Sequence, residues 1–185
     1  MGILGDSLDR ADLSVLTRPI PKGAQARMRF LVRVEKGSTR AVARRLGISQ
    51  RTVERYVKGQ LRRPRQELAE RLETEVRRDW QPRVRQRAER RAATSGGIVV
   101  ETRARFGFTA APGTTDDGRV RRITQHLPPA YAAQLFDARR TGADERRLRR
   151  IVAEGLQEIY FKDQGRRADG LLVEFTDIDY VELDY

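Results

Sequence analysis

The stretch Thr39 to Gly59, TRAVARRLGISQRTVERYVKG, predicts two short helices joined by a tight turn, and the rest of the chain is read outward from it. Ala43 falls where two helices cross closely and a larger side chain would hold them apart. Four residues on, Gly47 can take the positive φ that the turn demands. Val42, Leu46, Ile48, Val53 and Tyr56 fall on the faces that lock the helices at their angle. Ser49 is placed to cap the second helix, whose free N–H groups and positive dipole end favour a phosphate. This leaves Gln50, Arg51, Thr52, Glu54, Arg55 and Lys58 outward, the positions from which such a helix meets base edges and backbone. Arg51 or Arg55 can fork onto guanine and Gln50 onto adenine, each worth roughly 1–3 kcal/mol of discrimination. An ordinary helical pair with a glycine turn is the plainer alternative. Ala, Gly and Val at three fixed offsets, with polar residues between them, favour DNA binding.

A helix is expected before this motif, from Ala24 to Lys36, entered after Pro19 and Pro21 and stopped by Gly37, with Ser38 or Thr39 capping the next. Helical patterning continues after the motif to about Ala93, with Leu68, Leu72, Val76 and Trp80 recurring every four residues. Residues 61–93 hold eleven Arg and six acids and read as a basic helical arm, or as a solvated helix held by pairs such as Glu67 with Arg71 and Glu73 with Arg77. Thr94-Ser95-Gly96-Gly97 forms the clearest break, which sets the expected domains at 1–95 and 96–185.

Composition agrees with a nucleic-acid partner. The 185 residues have 38 Lys and Arg against 26 Asp and Glu, a net charge of +12. The last fifteen residues carry five acids and no base, leaving +17 on the preceding 170. Arginine enrichment from a GC-rich coding sequence is the competing explanation. There is no cysteine and a single histidine, His126, so disulfides, thiolate metal sites and two-histidine constellations are excluded. The residues MGILGDSLDR lack the basic start and apolar stretch of a secretory signal, and no apolar run reaches the ~20 residues of a membrane span. A soluble, cytoplasmic protein with no membrane partner is expected.

The second half changes character. Ile98 to Thr109 and Arg119 to Leu127 read as strands, joined by the turn-forming cluster 110–118 into a hairpin with a long tip. Pro128-Pro129 starts a helix to about Arg140, and a second runs from Ala143 to Lys162, with Gly155 in its apolar stripe where another backbone can approach. Residues 169–185 read as one further strand and an acidic tail. The expected fold is α+β: an N-terminal all-α helix-turn-helix domain with a basic arm, and a C-terminal small antiparallel sheet packed with two helices.

In the hairpin tip Thr114 and Thr115 stand between Gly113 and Asp116-Asp117-Gly118. Such residues commonly do no more than satisfy backbone N–H groups in a turn. A threonine on a Gly-flanked tip can also enter another protein's active site, where an external base or metal must activate its hydroxyl. The chain resembles the telomere-protecting terminal proteins of linear bacterial chromosomes and plasmids. The resemblance rests on length, Arg content, the block QARMRFLVRVEKGSTRAVARRLGISQRTVERYVKGQ, the region GFTAAPGTTDDGRVRRIT and the helix LPPAYAAQLFDAR.

That resemblance implies a protein bound covalently to 5′ DNA ends, whose threonine hydroxyl accepts the first deoxynucleotide from a DNA polymerase. It implies Thr114 as the priming residue, with Thr115 the adjacent fallback. The chain would be primer and acceptor rather than catalyst, with no catalytic or metal residues and no cofactor of its own; the deoxynucleotide and divalent metal are supplied at the polymerase. Expected partners are telomeric DNA (duplex and single-stranded 3′ overhang), the polymerase and a telomere-associated recruiting protein, with nucleoid association at replicon ends. Arg119, Arg121 and Arg122 are candidates for holding the triphosphate or the single strand, or are solvated strand residues. Asp116 and Asp117 mimic phosphates or contact a polymerase metal, or simply form the turn. Tyr56, Trp80, Phe106 and Phe108 are stacking platforms or core. The alternative is a non-covalent helix-turn-helix regulator of transcription or replication. A nuclease or recombinase with its own metal site lacks a recognisable carboxylate set.

Overall fold

A computed structural model describes residues 2–109, 119–162 and 172–185. The chain forms two compact units, and their division differs from the expected one. Residues 17–82 make one unit; residues 1–16 and 83–185 together make the other.

The unit of residues 17–82 is all helical, with helices α2 (Ala24–Val34), α3 (Thr39–Leu46), α4 (Gln50–Val57) and α5 (Gln66–Asp79). Met28, Leu31, Val42, Leu46, Val53, Leu72 and Val76 are buried in its core. Arg45 fixes three elements at once, reaching Glu35 beyond α2 and both Glu75 and Asp79 on α5. The expected arm does not exist as one basic helix. Residues 61–65 are neither helix nor strand, and three of the five acids of α5 form ion pairs, Glu73 with Arg27 and Arg77, Glu75 with Arg45 and Arg78, and Asp79 with Arg45 and Arg78, while Arg71 bonds the Glu67 carbonyl rather than its carboxylate. The helical run then breaks at Gln81, at φ 47°, before α6 (Pro82–Arg91) begins at a proline.

In the other unit β1 (Ile98–Thr109) is the centre of a three-stranded antiparallel sheet of order β2-β1-β3, with β2 at Arg119–Leu127 and β3 at Leu172–Asp184. Period-two alternation sends Ile98, Val100, Thr102, Ala104 and Phe106 to one face, which the helices cover. The covering helices are α1 (Ile3–Ser14), α7 (Pro129–Arg140) and α8 (Glu145–Leu156), three where two were expected. Helix α1, unanticipated, contributes Leu4, Leu8 and Ala11, and its first turn is capped by Glu145, whose carboxylate accepts from the Leu4 and Gly5 N–H groups. The expected acidic tail is strand β3 itself, its acids Glu174, Asp177, Asp179, Glu182 and Asp184 exposed. Register shifts leave Thr176 and Asp179 bulged, while Gln157 bonds the Val173 N–H and Arg10 the Val181 carbonyl. These devices blunt the strand against further pairing.

Gly96-Gly97, read from sequence as part of the break between domains, is instead a packed turn. A π-helical turn over Ala92–Gly96 leads into Gly97 at φ 69°, where an added Cβ would lie 2.3 Å from the Leu127 carbonyl oxygen. The His126 ring nitrogen lies 2.6 Å from the Gly96 carbonyl. The glycines let two backbones touch inside one core, and so mark no boundary.

Gly155 makes room for side chains rather than for the backbone its stripe suggested: a Cβ there would lie 2.6 Å from Leu127 Cδ1 and 3.3 Å from Tyr131 Cδ1. Gly155→Ala is expected to destabilise this unit by about 1–3 kcal/mol, seen as a lower urea midpoint at unchanged slope. A pH effect is expected at Glu89 on α6. Burial, then the nearby Asp12 carboxylate, push its carboxyl above the usual range against the pull of Arg139, Arg140 and Arg85. A carboxyl raised in the folded state weakens stability as pH climbs above its unfolded value of about 4.3. Glu89→Gln should therefore raise the Tm at pH 7, with the gain vanishing below that value.

Candidate nucleic-acid interface

The interface is built on the crossing of α3 and α4. Ser38 caps α3 by accepting from the Ala41 N–H, and the helix ends on Gly47 at φ 64°, with the Ile48 N–H returning to the Ala43 carbonyl at 3.0 Å. Ser49 then caps α4, its hydroxyl accepting from the Thr52 N–H at 3.2 Å. Ala43 is 5% exposed and Val42, Leu46 and Val53 are fully buried, so the two helices meet through small and aliphatic groups. Tyr56 belongs to this core, where burial raises its hydroxyl above the ordinary value despite Arg55. Trp80 lies edge-on to Phe30 and donates its indole N–H to the Arg18 carbonyl, so it too is structural.

With the core so arranged, Gln50, Arg51, Arg55 and Lys58 are exposed, while Thr52 and Glu54 are half-buried. The six residues differ in what holds them. Gln50 donates through Nε2 to Thr39 Oγ1 and to Glu54 Oε1, both at 3.0 Å. Its amide is thereby preset at the end of α4, with one member of the network reaching across from α3. Thr39, read from sequence only as a cap, is thus part of the surface. Only a contact between residues eleven apart reveals it. Arg51, Arg55 and Lys58 have no ion-pair partner among the described residues, so their charge is available to an incoming polyanion.

Charge is divided unevenly between the units. Residues 17–82 hold 18 Lys and Arg against 7 Asp and Glu, a net +11, and the remainder of the chain carries +1. Of the +17 read over the first 170 residues, +11 lies in the four-helix unit and +6 in the other, where the five acids of the last fifteen residues bring the total to +1.

The three arginines of β2 do not form one cluster. Residues 121 and 122 point to opposite faces of the strand. Arg121 is half-buried on the covered face, its guanidinium carbon 5.5 Å from the Phe161 ring centre. Arg122 is exposed and pairs with Glu101 at 3.2 Å, on which the Tyr180 hydroxyl also donates. Tyr180 and then Arg122 hold the Glu101 carboxyl below its usual range. The backbone of Arg119 lies opposite Phe106, a core residue rather than a stacking platform. Thr114, Thr115, Asp116 and Asp117 lie outside the described residues, as does the side chain of Phe108.

A family model described as helix-turn-helix matches residues 31–76, from the last turn of α2 to the third turn of α5. No curated protein and no solved structure matches the chain. This part of the chain is accordingly a DNA-binding domain, set within an α+β protein. No helix among the described residues is long and apolar enough to cross a membrane.

Two measurements check the interface. Arg55→Ala should weaken binding to a duplex selected from a random pool by about 1–3 kcal/mol, with an unchanged Tm because the side chain is exposed and holds no ion pair. If six to ten phosphates are neutralised, wild-type affinity should fall by about 10³–10⁵ between 50 and 200 mM salt; a flat response would make the +11 surface irrelevant to binding.

Proposed function

We propose that this protein is a DNA-end-binding primer: the helix-turn-helix unit holds duplex DNA, and the α+β unit offers a threonine hydroxyl, Thr114 with Thr115 as fallback, to a DNA polymerase. The observation that carries the reading is the division of labour along the chain. The positive charge lies in residues 17–82, while the near-neutral unit contains the segment bearing both hydroxyls, between strands β1 and β2. A polymerase active site that must accept a protein in place of a primer strand is better served by a presenting unit that does not itself grip DNA. The resemblance to telomere terminal proteins adds the biology, patching of a 3′ overhang with partners that recruit the protein there.

In this mechanism Thr114 Oγ takes the place of a primer 3′ oxygen and attacks the α-phosphorus of a deoxynucleoside triphosphate. An Oγ–P bond forms, the bond to the β-phosphate oxygen breaks, pyrophosphate leaves, and the hydroxyl proton passes to a base or metal-bound group of the polymerase. The divalent ions belong to the polymerase, where they activate the attacking oxygen and stabilise the leaving one. This chain contributes the hydroxyl and its delivery.

A second reading is favoured by the family match, which fits it equally: a non-covalent regulator using the same helix-turn-helix. Incubation with the host replicative polymerase and labelled deoxynucleotides separates the two. Priming predicts label that stays with the protein through boiling in detergent, is lost in Thr114→Ala, and leaves duplex affinity unchanged. Label lost only in Thr115→Ala moves the site by one residue. An unlabelled wild-type protein that still binds duplex DNA leaves the regulator.

A further inference from the structure

The segment that follows the second helix of the motif has a job the helix-turn-helix alone does not assign. The chain leaves α4 through Gly59 at φ 77°, with the Gln60 N–H closing onto the Arg55 carbonyl at 2.9 Å. It then runs as Leu61-Arg62-Arg63-Pro64-Arg65 without helix or strand until α5 begins at Gln66. Pro64 fixes its own φ and holds Arg63 to extended backbone, and Arg65 is extended at φ −62°, ψ 154°. Leu61 packs on the core of the unit and Pro64 is half-buried, so the segment is anchored at two points. Between and beside those anchors Arg62, Arg63 and Arg65 are exposed, their side chains with no ion pair or hydrogen bond among the described residues. This contrasts with the α5 arginines, since Arg77 and Arg78 are tied to carboxylates and Arg71 to the Glu67 carbonyl.

We propose that Arg62, Arg63 and Arg65 enter the minor groove beside the major groove occupied by α4, and that they prefer an A·T-rich flank. The inference rests on the DNA-binding reading of the helix-turn-helix. In that docking the N-terminal residues of the recognition helix meet the bases, so its C-terminal end lies toward the groove wall, over a sugar–phosphate strand. Four residues of extended chain from there span about 13 Å, enough to pass that strand and cover the ≈6 Å width of the minor groove beyond it. Extended backbone, free guanidinium groups and a rigid proline suit a narrow groove. The A·T minor groove is narrow, strongly negative and lacks the exocyclic amino group of guanine that would obstruct them. Arginine suits this better than lysine, being planar and more weakly hydrated.

The test is selection of bound duplexes from a random pool by the full chain and by a variant with Arg62→Lys, Arg63→Lys and Arg65→Lys. Charge is preserved, and exposed side chains without partners leave folding intact, checked by an equal Tm. The wild type should select a core with A·T enriched on one flank, and the variant the same core without that flank. On the selected duplex, exchanging the flank to G·C should cost the wild type about tenfold in affinity. Inosine·cytosine pairs, which present a G·C-like major groove but an A·T-like minor groove, should restore it. Flank enrichment equal in both proteins, a core with no enriched flank, or inosine flanks that behave as G·C would each overturn the proposal. Failure of the wild type to select any core would instead overturn the DNA-binding reading beneath it.

Discussion

The close crossing of α3 and α4 governs the DNA-binding unit. It needs a side chain no larger than a methyl at Ala43 and a left-handed residue at Gly47, and the chain supplies both. Once the helices meet at that distance, Val42, Leu46, Val53 and Tyr56 have only one face on which to be buried. The remaining face of α4 is then necessarily the one carrying Gln50, Arg51, Arg55 and Lys58. The exposed surface is thus a by-product of packing, which is why charged groups can collect on it without destabilising what lies beneath. Arg45 shows the complementary case: a side chain only 13% exposed, its guanidinium paired with three carboxylates and so used up in holding helices together.

The uneven charge between the two units matters more than the total. A protein that binds DNA everywhere would spread its arginines. Here the second unit balances its own, through pairs such as Arg139 with Asp9 and Asp12, Arg103 with Asp179 and Arg149 with Glu145. Its open sheet face mixes both signs, with Arg122 beside Glu101 and a row of acids along β3. Such a surface is adapted to water or to another protein more than to a phosphate backbone.

What was legible in the sequence was local. The strands at 98–109 and 119–127 and the helix after Pro128 stand where they were read, because β-branched runs and prolines act within a few residues. The turn at Gly47 and both serine caps are likewise local chemistry. What could not be read depended on contacts across the chain. Gly96-Gly97 looks like a domain break in one dimension and is a contact with Leu127 in three. Leu4, Leu8 and Ala11 do have helical spacing, but nothing near them says that their partners lie far along the chain. In the interface, the outward residues of α4 were legible from periodicity. The tie between Gln50 and Thr39, and the separation of the free arginines at 62–65 from the paired ones on α5, were not.

The α+β unit is assembled from two stretches of chain with a whole helical unit between them. Its first helix bonds to its last strand and to the residue just after it, Arg10 to the Val181 carbonyl and Asp12 to the Tyr185 hydroxyl, across sequence separations of 171 and 173 residues. On a ribosome making about 5–20 residues per second, the apolar side of that helix waits roughly ten to thirty seconds for its strand to be made. The intervening helices, whose contacts are nearer in sequence, are complete well before then. Synthesis therefore produces the DNA-holding part first and leaves the other part open until the closing strand arrives, an interval in which a chaperone would find Leu4 and Leu8 uncovered.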